Sequence, residues 1–226
     1  MEDLDVKTDS GPTLSTSIAN QLRSQITSGA IPPGEKLRLD DLRNSFGVSL
    51  SPLREALSRL AAEGFVVMEN RSGFRVAPVS KSNLIEVTRL RVTLETFALR
   101  ESIERGDDRW ESEVVASLYR LSKLEKRGDR RPRLQDWETA HRDFHQKLIS
   151  ACGMPLLLRF CAVLHDLNDR YRRLFLENAP IDRDVSKEHK NIADAALERD
   201  SDRAVELMRQ HIERTGAMVA KALPKS

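Results

Sequence analysis

Gly47-Val48-Ser49-Leu50-Ser51-Pro52-Leu53-Arg54-Glu55-Ala56-Leu57-Ser58-Arg59-Leu60-Ala61-Ala62-Glu63-Gly64 joins a tight turn to an amphipathic helix. Glycine supplies the left-handed backbone angle that ends one helix, and Val48 fills the angle between that helix and the next. Ser51 can cap the free backbone N–H groups, and Pro52 suits the first helical position. Leu53, Ala56, Leu57, Leu60 and Ala61 form one apolar stripe, which leaves Ser49, Ser51, Arg54, Ser58 and Arg59 away from it. A tight turn followed by a helix that is polar on one side is the heart of a helix-turn-helix.

Upstream, Asp40–Phe46 reads as a short helix with Leu42 and Phe46 facing inward, preceded by a turn over Ile31–Lys36. Ile18, Leu22 and Ile26 recur at helical spacing and predict a helix over 14–29, with Gly29 at its C-terminal end. Downstream, Phe65–Met68 and Phe74–Ala77 read as strands around a hairpin tip at Glu69–Gly73. Helix, helix, turn, helix and hairpin is the order of a winged helix-turn-helix. Arg54 is placed to reach a base edge, and the hydroxyls of Ser49, Ser51 and Ser58, with Arg59, suit phosphates. In the wing, Asn70, Arg71 and Arg75 surround Gly73, suited to the adjacent minor groove or backbone. Residues 14–78 hold eight Lys or Arg against six Asp or Glu, so affinity per subunit should be moderate and dimerisation needed.

Residues 1–13 read as a disordered lead-in that is acidic and too polar for a signal peptide. After Pro78 the texture is helical throughout. Helices are expected at 81–105, 108–127, 134–151, 155–177, 185–199 and 201–221, punctuated by Gly106, Gly128, Gly153 and Pro180. The fold class is therefore mainly α: a winged helix-turn-helix over 14–78 and an antiparallel six-helix bundle over 79–226. No apolar run approaches the roughly 18 residues of a membrane span. Cys152 and Cys161 lack metal-type spacing and read as buried, reduced thiols of a cytoplasmic protein.

Four of the five histidines fall in a pattern. His141 and His145 are one turn apart on one helix face. His189 lies eleven residues before Asp200, the expected turn, and His211 eleven after it, so an antiparallel pair brings both to one level. Such a group could hold a divalent metal, and imidazole suits zinc, nickel or cobalt better than magnesium or calcium. Four neutral imidazoles leave the metal's charge uncancelled, which would attract a carboxylate. His165 has no partner at ligand spacing. Glu188 adjoins His189 but points about 100° away, so a metal-dependent hydrolase would lack an aimed general base. Arg91 shares the inward stripe of Leu84, Val87, Leu94 and Ala98. A buried arginine needs an anion: either Glu95, one turn on, or an effector carboxylate. Arg170 and Tyr171 are further effector-binding candidates.

Pro33-Gly34-Glu35-Lys36-Leu37, Gly47-Val48-Ser49, Pro52-Leu53-Arg54-Glu55-Ala56-Leu57 and Leu60-Ala61-Ala62-Glu63-Gly64 closely resemble the GntR family of bacterial regulators, and the helical remainder resembles the effector (FCD) domain of its FadR branch. The resemblance spans about 14–221 and implies a cytoplasmic, homodimeric repressor on a pseudo-palindromic operator in double-stranded DNA. It also implies a metal held by an Asp-x-x-Phe-His motif and two later histidines. Phe144-His145, His189 and His211 match, while His141 stands at the aspartate position. The family often uses an arginine at the place of Arg91 for ligand contact. Leu50 stands where arginine usually reads guanine, which leaves Arg38 as a substitute reader. The stretch from His141 to Gly153 is similar to a subgroup with a glutarate-responsive, carbon-starvation-linked repressor, implying a small organic acid as effector. A regulator for which the metal itself is the signal is the rival expectation.

Overall fold

The structure, a computed structural model, describes residues 11–69, 73–125, 134–176 and 184–223. The chain divides after Val79 into two compact units. In the first, Ile18, Leu22 and Ile26 fall on one face of α1 (Leu14–Thr27) and are buried, as are Leu53, Ala56, Leu57 and Leu60 of α3 (Leu50–Ala62), against which α1 packs. α2 (Leu39–Phe46) ends at Gly47, whose φ of 65° is the left-handed conformation the turn requires. Arg23 of α1 donates twice to Glu63 beyond α3, at 2.6 and 3.1 Å, and ties the two helices at their far ends.

Two local expectations change. Ser49 rather than Ser51 takes the N-cap position of α3, without a side-chain capping bond, and the helix starts at Leu50. Pro52 therefore sits deeper in the first turn, which it tolerates because the N–H it lacks would have no intrahelical acceptor there. The expected turn over Ile31–Lys36 runs into a strand, β1 (Lys36–Leu37), too short for any alternation to show. β1 pairs antiparallel with β3 (Gly73–Val76), which pairs antiparallel with β2 (Val66–Glu69), in the order β1-β3-β2. Phe65, Val66, Phe74 and Val76 are buried beneath this small sheet.

The second unit is a bundle of α4 (Lys81–Arg105), α5 (Asp108–Glu125), α6 (Leu134–Ile149), α7 (Pro155–Leu176), α8 (Val185–Leu197) and α9 (Ser201–Ala222). Ser150–Cys152 forms a 3-10 turn after α6, and Gly128 and Pro180 lie outside the described residues. α4 packs against α6, α7 and α9 and forms the axis of the unit. Asp200 caps α9 by accepting from the Arg203 N–H at 3.1 Å, and Ser80 caps α4 by accepting from the Asn83 N–H at 3.1 Å. The Tyr171 hydroxyl meets the Ser80 N–H, the Ser80 carbonyl and the Asn83 carboxamide within 3.1 Å, which pins the start of α4 to α7. Cys152 and Cys161 are buried free thiols, and no described helix is long and apolar enough to cross a membrane.

Gly216 of α9 faces Thr88 of α4 at close range. A Cβ on Gly216 would meet Thr88 Oγ1 at 2.6 Å and Cγ2 at 2.8 Å. Gly216→Ala is expected to cost about 1–3 kcal/mol of stability through overpacking. Thr88→Ala in the same chain should recover most of that loss. Additive losses in denaturant unfolding of the two single variants and the double would show that the contact does not limit helix approach.

Candidate functional site

α3 turns an exposed polar face outward. Ser51, Arg54 and Ser58 lie on it at spacings that keep one side of a helix, with Ser49 just ahead and Leu50 exposed at the first helical position. The side chain of Arg54 makes no hydrogen bond or ion pair with any described residue, and neither does that of the exposed Arg38 before α2. Arg59 is instead engaged within the unit: it donates to Thr16 Oγ1 at 3.0 Å and lies 3.8 Å from Glu55. In the wing, Arg75 is held by Glu69 at 2.6 Å and by the Gly34 carbonyl, so it supports the hairpin rather than projecting from it. Gly73 opens β3, and Asn70 and Arg71 lie outside the described residues.

The helical unit brings His141 and His145 of α6, His189 of α8 and His211 of α9 into one buried cluster. One ring nitrogen from each lies within 4.8 Å of those from the others. The ring centres of His141 and His145 are 4.5 Å apart, and those of His189 and His211 4.8 Å. Burial, with the positive charge of Arg172 second, holds His141 well below the usual imidazole range, and burial does the same to His145. Both rings are therefore neutral and keep a nitrogen lone pair. Among the described residues, neither nitrogen of His145, nor Nε2 of His189, has a hydrogen-bond partner. Nδ1 of His189 contacts Glu125 at 3.0 Å, and Nδ1 of His211 contacts Glu188 at 2.8 Å. Carboxylates on the outer nitrogens fix Nδ1–H tautomers and raise the basicity of Nε2, the support that metal-binding histidines commonly have. The donor set fits a divalent metal.

Those two carboxylates alter the expected charge balance, since Glu125 and Glu188 offset the positive charge that four bare imidazoles would leave on a metal. Glu188 is not in the group of ligand-type side chains and instead meets His211 Nδ1 and Arg214. His165 needs a larger correction. It is buried on α7, its ring centre 5.3 Å from that of His145 and 5.8 Å from that of His141. Its Nδ1 lies 3.3 Å from Arg91, and with His141 and Asp169 it forms a second group of ligand-type side chains.

The anion facing Arg91 is Glu95, joined by two hydrogen bonds of 2.6 and 3.1 Å. Burial alone would raise the Glu95 carboxyl, but Arg91 and His165 outweigh it and bring it to about 2. A cavity of about 360 Å³ borders the cluster, walled by Glu95, His145, His165 and Cys161 at its inner side and by Gln146 and Ser150 among others. None of Arg91, Arg170 and Tyr171 lines it. Arg170 is buried, and Tyr171 is committed to the start of α4.

Sequence reading missed the charged scaffold behind the cluster. Arg172 binds Glu138, donates to His141 Nδ1 at 3.1 Å and lies 3.5 Å from Asp169, while Arg142 binds Asp166 and, at 2.8 Å, Asp169. The signal lay in the spacing: 138, 141 and 145 on α6, and 165, 168, 169 and 172 on α7, are polar positions on inward stripes.

Residues 86–214 match the family described as FCD domain, and residues 14–76 match bacterial regulatory proteins, gntR family. Among curated relatives, the HTH-type transcriptional regulator BphR of Paraburkholderia xenovorans is 41% identical over 202 residues, covering 88% of this chain and 82% of its own. The HTH-type transcriptional repressor GlaR of Escherichia coli is 37% identical over 195 residues, 84% and 89% of the two chains. The fold is that of E. coli McbR/YncC, with a TM-score of 0.78 at 22% identity over 92% of this chain and 98% of that one. The relatives named here are transcription regulators rather than enzymes.

Arg91→Met should lower stability by about 3–5 kcal/mol because it strands a buried carboxylate, whereas Arg91→Met with Glu95→Leu should recover most of the loss. Equal melting of the two variants would mean that the pair is not structural. Metal-free protein should also weaken as pH falls. His141 and His145 stay neutral when folded but protonate near 6.5 when unfolded, so their contribution is present above 6.5 and lost below it. Glu95 adds stability above 4.5 that is lost as pH falls towards 2. Urea midpoints that stay flat from pH 7.5 to 5.5 would contradict the histidine contribution.

Proposed function

This chain belongs to the gntR family of bacterial regulatory proteins and is a DNA-binding transcription regulator with an FCD domain; from that premise we propose that it is a homodimeric repressor whose DNA affinity answers to a small organic acid bound beside a divalent metal. The observation that carries this reading is the convergence of His141, His145, His189 and His211 in one buried cluster, of which His145 also lines a cavity of about 360 Å³. That volume suits a short carboxylic acid, being near the low end of typical ligand pockets. The repressor role is that of GlaR by its name.

The metal would be held by the histidine imidazoles, with zinc favoured by an all-nitrogen donor set and nickel or cobalt as alternatives. When bound, it would supply a Lewis-acidic centre for an anionic oxygen. The chain's own groups do the rest: Glu125 and Glu188 orient His189 and His211, and the apolar wall of Leu158 and Ile149 excludes water from one side of the cavity. Lys147 and Asp143, also at the cavity, are paired with Glu113 and Arg120 at 2.7 Å each.

In the DNA-reading unit, Arg54 is the free guanidinium on the outward face of α3, with Ser49, Ser51 and Ser58 suited to phosphates and Arg38 as a second reader. Two copies on a pseudo-palindrome would double these contacts. Exposed Leu90 and Phe97 of α4, and Leu156 and Phe160 of α7, offer apolar surface for the second copy.

Arg54→Ala should lose about 1–3 kcal/mol on the operator and much less on random DNA, measured by fluorescence anisotropy. Equal losses on both would make Arg54 a phosphate contact. His189→Ala and His211→Ala should each strip metal and lower the melting temperature, and full metal occupancy in both variants would remove the centre. Dialysis against graded metal separates the two signals. A co-ligand metal stays bound while DNA affinity follows the acid, whereas a metal-sensing regulator would show DNA affinity tracking free metal.

A further inference from the structure

The four clustered imidazoles are not equivalent. A guanidinium only donates hydrogen bonds. Arg172 Nη1 lies 3.1 Å from His141 Nδ1, so that nitrogen is the acceptor and the proton of the neutral ring is on Nε2. Arg172 is not at liberty to turn away. Glu138 binds its other terminal nitrogen, Asp169 lies 3.5 Å off, and its guanidinium carbon sits 4.8 Å from the centre of the Trp137 ring. Trp137 also stacks on His141, with ring centres 4.7 Å apart and planes 20° apart, so one indole backs both partners.

His189 and His211 have the opposite polarity. Their Nδ1 atoms face the carboxylates of Glu125 and Glu188, acceptors that place the proton on Nδ1 and leave the lone pair on Nε2. His145 has no hydrogen-bond partner at either nitrogen among the described residues and can take the ligating tautomer freely. For His141 to ligate through Nε2, the ring would have to become an imidazolate, or an Nδ1–H would have to face the Arg172 N–H.

We propose that His141 is not a metal ligand but a fixed hydrogen-bond donor, positioned by Arg172 and Trp137, for an anionic oxygen bound at a three-histidine metal centre of His145, His189 and His211. This rests on the metal reading above. Three protein ligands leave the coordination open that a carboxylate needs, and the His141 N–H supplies the directional contact that distinguishes a carboxylate from a monodentate halide.

Glutamine at position 141 separates donor from ligand, since its carbonyl can accept from Arg172 while its amide N–H donates. His141→Gln should bind one zinc per chain with affinity within about threefold of wild type, in competition with a chromogenic chelator, whereas His189→Gln should lose more than thirtyfold. The visible spectrum of the cobalt-loaded His141→Gln protein should match that of wild type. Acetate, titrated against that spectrum, should bind about tenfold more weakly to His141→Leu than to wild type, with His141→Gln between them. A loss of zinc affinity in His141→Gln as large as in His189→Gln would overturn the donor role and leave the metal centre standing. Unchanged acetate binding in His141→Leu would also overturn it. A wild-type chain that binds no zinc or cobalt would overturn the metal reading and this inference together.

Discussion

Burying imidazoles at the centre of a helical bundle obliges the surrounding helices to supply partners for them, because each polar atom taken from water without one costs several kcal/mol. Here the obligation reaches outward in layers. His141, His189 and His211 meet Arg172, Glu125 and Glu188, while His145 is left with its lone pair for another group, and Arg172 in turn meets Glu138 and Asp169. Asp169 is shared with Arg142. Each partner is itself charged, so the requirement passes on until it reaches side chains that touch solvent. The helical unit thus has a polar interior between α6 and α7, while its apolar core, with Leu99, Val114, Phe144, Ile192 and Met208, lies to one side.

Such an interior is poorly justified by stability alone. Replacing buried ion pairs with well-packed apolar residues of similar volume is often neutral or stabilising. The arrangement makes sense as preorganisation. On the proposed metal reading, rings held in chosen tautomers by outer partners would not need to reorganise for an ion, and the carboxylates among those partners would carry the compensating charge beforehand. Arg91 and Glu95 pair one turn apart on α4, and Arg91 also reaches His165 of α7.

The architecture was legible because it is written in short-range signals. The helix ends at Gly47, Asp200 and Ser80 are marked by residues with one dominant physical use, and the inward stripes of α1 and α3 repeat at helical spacing. The histidine cluster was legible for a similar reason: equal chain distances on either side of a known turn place His189 and His211 at one level. What escaped has equally physical causes. A two-residue strand has no period. The site of the α3 cap depends on backbone torsions that Ser49 and Ser51 satisfy alike. The partners of His165, Arg59 and Arg75 are set by which faces of neighbouring elements meet, and no spacing within one element records that. The direction of each histidine's proton is a property of the second layer, and only the assembled helices reveal it.

Tyr171 and Arg172 are consecutive on α7, and consecutive helical residues project about 100° apart. One therefore grips the first turn of α4 while the other grips the ring of His141. A helix is stiff in torsion, so these two grips work as the arms of a bell crank. Any roll of α7 that relieves or loads Arg172 moves the Tyr171 hydroxyl through a comparable arc. That hydroxyl holds the backbone of Ser80, the residue at which the polypeptide enters the helical unit from the DNA-reading one. One helix thus holds both the ring of His141 and the first residue of the helical unit.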